Sequence, residues 1–139
     1  MTIAHATAVH EIESHSFADP WPLEEILFDL SQEHAICFVA LQDNRVVGFV
    51  IMRHIADEGH ICNLATHKNH RNKGIGSKLC NALVTEGIAR NLYGLTLEVR
   101  VSNAPALAVY EKYGFKVTGY RQGYYQHPTE DAAIMWKYL

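Results

Sequence analysis

The run Leu95-Thr96-Leu97-Glu98-Val99-Arg100-Val101 places Leu95, Leu97, Val99 and Val101 on one face of an extended chain and Thr96, Glu98 and Arg100 on the other. Directly after it, Asn103 offers a helix cap, Pro105 stands in the first helical turn, and Gly114 follows the helix end. A strand that passes without a spacer into a helix belongs to a sheet with helices packed on it, and this confines the chain to a mixed α/β architecture.

The remaining segments agree. Val9, Ile12 and Phe17 give Ala6 to Phe17 helical spacing, and Asp19-Pro20-Trp21-Pro22 ends that pattern. Leu23, Ile26, Leu27 and Leu30 predict a second helix over 23–30. Strands are expected at Ile36 to Leu41, Val46 to Ile55 and His60 to Thr66, the first two joined by a turn at Asp43-Asn44, as an antiparallel meander. After the polar loop His67 to Lys73, Ile75, Leu79, Ala82, Leu83 and Glu86 define an amphipathic helix that starts at a glycine-rich turn. Strands at Phe115 to Tyr120 and Ala132 to Tyr138 flank the polar loop Gln126 to Asp131. The resulting order, α, α, β, β, β, α, β, α, β, β, implies a mixed sheet with helices on both faces. Any strand ahead of the first helix is confined to Thr2 to His5.

Length and charge limit the functions open to such a chain. With 139 residues, 48% of them hydrophobic, residues 1–139 suit one domain with its own core. Twelve basic against 15 acidic side chains provide no field for a nucleic-acid backbone. Cys37, Cys62 and Cys80 are an odd set in apolar surroundings, read as reduced, buried thiols of a cytoplasmic protein. No apolar run approaches the roughly 20 residues of a membrane span, and the N-terminus lacks a signal-peptide profile, so a soluble, unprocessed protein is expected.

Three features carry chemistry. Arg71-Asn72-Lys73-Gly74-Ile75-Gly76 lies between a strand and a helix, where unpaired N–H groups and the helix dipole attract anions. Its spacing matches neither a nucleotide-hydrolysing P-loop nor a dinucleotide fingerprint. Lys68, Arg71 and Lys73, with no acid from His67 to Lys73, suit a ligand bearing several phosphates, although a solvated helix start has the same spacing. Glu98 is solvated if its face of the sheet is wet; helices on both faces enclose it instead and make it a general-base candidate. Tyr110 reads either as a core residue or as a phenolic proton donor to a departing thiolate. Among nine histidines the tightest cluster, Cys62, His67 and His70, matches no common zinc pattern, and no metal is expected.

Taken together, His70 to Gly76 and the block Leu97 to Phe115 resemble the GCN5-related N-acetyltransferases, and within them the RimI type, the ribosomal-protein-alanine N-acetyltransferases. Phe17 to Trp21, Asn63-Leu64-Ala65, Tyr124-Tyr125 and Glu130 to Met135 extend the likeness over about nine-tenths of the chain. The resemblance implies a splayed mixed sheet with acetyl-CoA in the split between the strand ending at Thr66 and the strand beginning at Leu95. Pantetheine amides are expected along the backbone of Leu64, Ala65 and Thr66, the pyrophosphate at Arg71 to Gly76, and the pantetheine arm at Asn103. By position, Glu98 corresponds to the family's proton acceptor and Tyr110 to its proton donor.

The acceptor that the resemblance implies is a protein or peptide N-terminus, a small-subunit ribosomal protein among the candidates, with Tyr124 and Tyr125 beside its entrance. The same tyrosines also fit as packed strand residues. Acetylation of a small amine by the same machinery, or a coenzyme A-binding partner subunit without catalysis, are alternatives that the sequence leaves open. Three departures from the family pattern stand out: the nearly absent first strand, Thr66-His67-Lys68 in place of Val-Asp-Pro, and Arg71 in place of glutamine.

Overall fold

The computed structural model describes residues 1–139. Two helices, α1 (Ala6–Ser16) and α2 (Leu23–Leu30), precede strands β1 (Ala35–Gln42), β2 (Arg45–Ile55) and β3 (Glu58–Thr66). Then come α3 (Ile75–Ala89), β4 (Gly94–Arg100), α4 (Ala104–Lys112), β5 (Lys116–Tyr125) and β6 (Glu130–Tyr138). The strands form one six-stranded sheet in the order β1-β2-β3-β4-β6-β5. Only the β3–β4 pair is parallel. The β1–β2 turn holds both Asp43 (φ 52) and Asn44 (φ 62) in the left-handed region, the geometry that matches the twist of a two-residue hairpin.

The central pair is incomplete. Strands β3 and β4 are in register only from Glu58↔Gly94 to Ile61↔Leu97, whereas β3 stays on β2 as far as Thr66↔Gly48 and β4 stays on β6 as far as Arg100↔Ala132. The sheet therefore forks at its centre, as expected. The local cause lies on β3: Met52 pairs with Ile61 and the next residue, Ile51, pairs with Asn63, so Cys62 is an extra residue. Such a bulge bends its strand and re-aims the side chains beyond it.

The bulge also sorts the two cores. Before it, Ile61 faces a core shared with Leu79 and Leu83 of α3 and Tyr110 of α4; beyond it, Leu64 packs on that same side. Ala65 joins Phe49 and Ile51 in a second core against Val9 and Ile12 of α1 and Ile26 of α2. Helices cover both faces, and each fully buried Leu, Ile or Phe contributes roughly 1.5–3 kcal/mol.

Several details differ from the sequence expectation. Ile3–His5 is a single 3-10 turn running into α1, so Thr2 to His5 form no strand. The fifth strand extends to Tyr125, because a bulge between Arg121↔Ala132 and Tyr125↔Glu130, with Gly123 at φ 61, lets pairing resume. Of the three free thiols only Cys80 is buried; Cys37 and Cys62 are half-buried. No helix is long and apolar enough to cross a membrane.

Glu13 is the least expected core residue. It sits on the α1 face with Val9 and Ile12, buried, and accepts hydrogen bonds from Asn63 Nδ2 and from the Trp21 N–H (3.3 Å). One carboxylate thus ties α1, the loop before α2 and the strand beyond the bulge. Burial raises its pKa above the ordinary value, and the bonds from Asn63 and Trp21 only partly offset this. A raised carboxyl pKa means that the fold favours the protonated form. The contribution of Glu13 is therefore fully present below the unfolded pKa and declines as pH rises through the folded one. For Glu13→Gln, the melting temperature relative to wild type is expected to rise between about pH 5 and about pH 8. A difference that stays flat with pH speaks against this account.

Candidate active site at the fork of the sheet

The β3 arm of the fork ends in a turn that exposes main-chain donors. Asn72 (φ 63) and Gly74 (φ 78) are both left-handed, and Gly74 is the N-cap of α3. The first backbone bond returning to this cap is Lys78 N–H to Gly74 O (3.1 Å), so the N–H groups of Ile75, Gly76 and Ser77 have no partner within the helix. Arg71 Nε donates to Thr66 O (3.3 Å) and laces the turn to the end of β3. A Cβ placed on Gly76 would meet nothing nearer than Leu64 Cδ2 (3.9 Å) and Thr66 Oγ1 (4.0 Å), which shows open space between the helix start and the free edge of β3. Lys68, Arg71 and Lys73 surround it, exposed.

That free edge is main chain. His67 N–H bonds to Val47 O (2.8 Å), so the alternation of an antiparallel ladder turns the polar groups of Asn63 and Ala65 to β2 and those of Leu64 and Thr66 into the fork. Of the three consecutive residues expected to present amides there, Leu64 and Thr66 do so, and Ala65 is engaged by β2. An open strand edge next to unpaired helix N–H groups fits an extended amide-bearing arm that ends in a pyrophosphate, the shape of coenzyme A.

On the β4 arm, Glu98 projects from the face opposite Leu97 and Val99. Its carboxylate is 12% exposed, with His60 Nε2 at 2.6 Å from Oε2 and Arg121 Nε donating to Oε1 at 3.3 Å. Where the sequence expectation placed helices, the side chains that contact the Glu98 carboxylate are His60 on the adjacent β3 and Arg121 on β5, across β6. Cys62 Sγ lies 3.8 Å from His60 Nδ1, and its thiol is pushed up to about 11 by burial. His67 and His70 pack edge to face at 5.6 Å, so Cys62, His67 and His70 do not converge.

Tyr110 is buried between α4 and the sheet with its ring on Phe115 (5.6 Å). Burial drives its phenol pKa upward, so it holds its proton throughout the neutral range. Tyr125, at the end of β5, has its phenol pushed up to about 12 by burial. Asn103 caps α4 through Oδ1, accepting from Ala106 N–H (3.3 Å), which leaves its NH₂ for a ligand.

Tyr124 and Tyr125 pack edge to face at 5.0 Å at the end of β5. The Arg100 guanidinium stacks on Tyr125 (4.5 Å) and donates to Gln126 O (2.9 Å), Pro128 O (2.9 Å) and Glu130 Oε1 (3.1 Å). Glu130 also accepts from Ser102 N–H (2.8 Å), and the hydrogen bonds from Ser102 and Arg100 hold its carboxyl below the ordinary range. One arginine thus anchors the β5–β6 turn to β4. Arg100 was visible in the sequence as the neighbour of Glu98 on the same strand face. His60 and Arg121 gave no sequence signal, since only the tertiary register brings them to Glu98. On α2, Glu25 pairs with Arg53 (3.4 Å), which also pairs with Asp29 (3.0 Å).

Comparison with known proteins places this geometry among relatives. A family model described as the acetyltransferase (GNAT) family matches residues 6–115. The ribosomal protein bS18-alanine N-acetyltransferase of Salmonella typhimurium is 36% identical over 132 residues, covering 92% of this chain and 87% of that protein. Its counterpart in Escherichia coli (strain K12) is 35% identical over 132 residues, with coverage of 92% and 87%. The crystal structure of the ribosomal-protein-S18-alanine N-acetyltransferase from Escherichia coli superposes with a TM-score of 0.90 at 31% identity, covering 98% of this chain and 88% of that one.

The anchoring by Arg100 is directly measurable. Arg100→Met removes the donors to Gln126 O and Pro128 O while keeping the stem, so amide hydrogen exchange over residues 126–131 should accelerate at least about tenfold, with β2 and β3 unchanged. Unchanged exchange in that turn would show that other contacts hold it.

Proposed function

Since the chain belongs to the acetyltransferase (GNAT) family and is an N-acetyltransferase that uses acetyl-CoA, we propose that it acetylates the α-amine of a protein N-terminus, an alanine of a small-subunit ribosomal protein. The observation that carries this reading is the fork itself. Its β3 arm offers main chain to an acetyl donor, and its β4 arm offers a side-chain carboxylate, Glu98, beside the aromatic pair Tyr124 and Tyr125. The relatives named above, which act on an N-terminal alanine of a ribosomal protein, support the choice of acceptor.

Acetyl-CoA supplies the acyl group already activated as a thioester. Leu64, Thr66, the turn Arg71-Asn72-Lys73-Gly74-Ile75-Gly76 and Asn103 are the residues that hold it, through main-chain groups at the strand edge and helix start and through the Asn103 amide. A peptide α-amine has a reference pKa of about 7.7–8.0 and is mostly protonated near neutrality, so it must lose a proton before it attacks. Glu98 accepts that proton, directly or through a water. The Leu64 N–H points into the fork and stabilises the negative charge that develops on the carbonyl oxygen. Tyr110, kept protonated by burial, donates to the departing sulfur. Tyr124 and Tyr125, with the turn pinned by Arg100, flank the entering peptide. Positioning of an activated acyl group supplies much of the acceleration.

Incubation with acetyl-CoA and a panel of N-terminal peptides and small amines, read by mass spectrometry, tests the proposal. Ala-starting peptides are expected to gain one acetyl group at the α-amine. Glu98→Gln should lower turnover at least about 100-fold and Tyr110→Phe about 10- to 100-fold, with acetyl-CoA affinity retained in both. Products confined to small amines would overturn the acceptor assignment. Cofactor binding without any product would point to a partner subunit without catalysis.

A further inference from the structure

We propose that His60 is a positioning residue for this reaction: its imidazole holds the Glu98 carboxylate in the orientation from which it takes the amine proton. The inference rests on the role given above to Glu98. It starts from the place where the fork opens. His60 pairs with Thr96 one step before the last β3–β4 pair, Ile61↔Leu97, and Glu98 is the first β4 residue beyond that pair. His60 is therefore at the end of the joined strands, and Glu98 at the beginning of the separated ones. Past this point β3 sends no other side chain to the carboxylate. Cys62 turns back on His60, with Sγ 3.6 Å from His60 O, and Asn63 is committed to Glu13.

The two partners of Glu98 are not equivalent. Arg121 donates to Oε1 at 3.3 Å from a side chain that is 55% exposed, a loose and solvent-screened contact. His60 lies at 2.6 Å from Oε2, the length of a strong hydrogen bond to an ionised acceptor. A carboxylate can only accept, so the bonded nitrogen carries the hydrogen: Nε2–H donates to Glu98. Cys62, held as a thiol by burial, lies 3.8 Å from Nδ1 and donates its S–H to His60 O at 3.6 Å, packing against the ring from its far side. The bond from His60 Nε2–H to Glu98 Oε2 fixes the rotamer of the carboxylate. The imidazole itself is 44% exposed, so a side chain without an N–H can replace it without leaving a buried cavity.

The titratable and charged groups facing Glu98 are His60 and Cys62 from β3 and Arg121, Tyr124 and Tyr125 from β5. Among them His60 alone joins a short contact to partial exposure. Loss of its donor frees the carboxylate to rotate away from the amine. That lowers turnover and leaves donor binding alone.

The test compares wild type, His60→Leu, His60→Gln, His60→Asn and Glu98→Gln, with acetyl-CoA and an Ala-starting peptide, recording kcat and both KM values. His60→Leu should lower kcat about tenfold or more, with KM for acetyl-CoA unchanged. His60→Gln keeps an N–H at similar reach and should recover most of the rate; His60→Asn is too short and should not. If His60→Leu retains the wild-type kcat while Glu98→Gln is inactive, the inference is wrong and the function stands. Full activity of Glu98→Gln would instead sink the role of Glu98, and the inference with it. Should His60→Leu fail to fold, equal rates in His60→Gln and His60→Asn overturn the proposal.

Discussion

The loss of pairing between β3 and β4 after Ile61↔Leu97 is the constraint on which the site depends. A continuous parallel pair would consume the main-chain groups of Leu64 and Thr66 and close the sheet over Glu98. Instead, each arm remains anchored on its outer side, β3 on β2 and β4 on β6, so the sheet is locally unpaired at its centre without losing its edges. The extra residue at Cys62 accomplishes this with very little sequence. It shifts the side-chain alternation of β3 by one, so that Leu64 stays with the α3 core while Asn63 and Ala65 face α1.

The parts of the fold set by local pattern were readable beforehand. Period-two alternation defined β4, Asn103 and Pro105 defined the start of α4, and Asp43-Asn44 defined the first hairpin. The turn at Arg71 to Gly76 was also local, since Asn72 and Gly74 take left-handed geometry in a short polar segment. The bulge was not readable, because Ile61, Cys62, Leu64 and Ala65 are all apolar enough to sit on either face. Glu13 was legible in principle: it follows Ile12 and lies four residues after Val9, squarely in the buried stripe of α1. Residue type alone gives no sign that a carboxylate is buried there. The pair His60 and Glu98, 38 residues apart, needs the parallel register of β3 and β4 and has no local signature.

Three carboxylates near the fork show how environment divides their work. Glu13 is buried with an amide and one backbone N–H, so desolvation dominates and its pKa rises. Glu130 is bonded by Ser102 and Arg100, so its ionised form is favoured and it behaves as a fixed anchor. Glu98 has neither a dry pocket nor a full set of fixed donors. It has one close imidazole and one loose guanidinium on a partly open face. That arrangement suits a group that has to exchange a proton and return.

The fork also separates what is built from main chain from what is built from side chains. In the proposed reaction the donor side is formed by the edge groups of Leu64 and Thr66 and the first N–H groups of α3, and these are indifferent to side-chain identity. On that proposal threonine, histidine and lysine at 66–68 and arginine at 71, departures from the pattern that the resemblance implies, leave the cradle intact; Arg71 ties it to Thr66 O. The proposed acceptor side is formed by Glu98, His60, Arg121, Tyr124 and Tyr125, with the turn pinned by Arg100. There a single replacement changes charge, reach or shape. Relatives that share the donor machinery can therefore diverge in the amine they accept by changing a few side chains around β4 and β5, with the backbone of β3 and α3 unaltered. The segment ahead of α1 acts on the same side of the division. The 3-10 turn at Ile3–His5 feeds α1, and α1 reaches the fork through the bond from Asn63 to Glu13. The start of the chain is thus coupled to the strand beyond the bulge by one buried carboxylate, and no sheet edge is needed to make that connection.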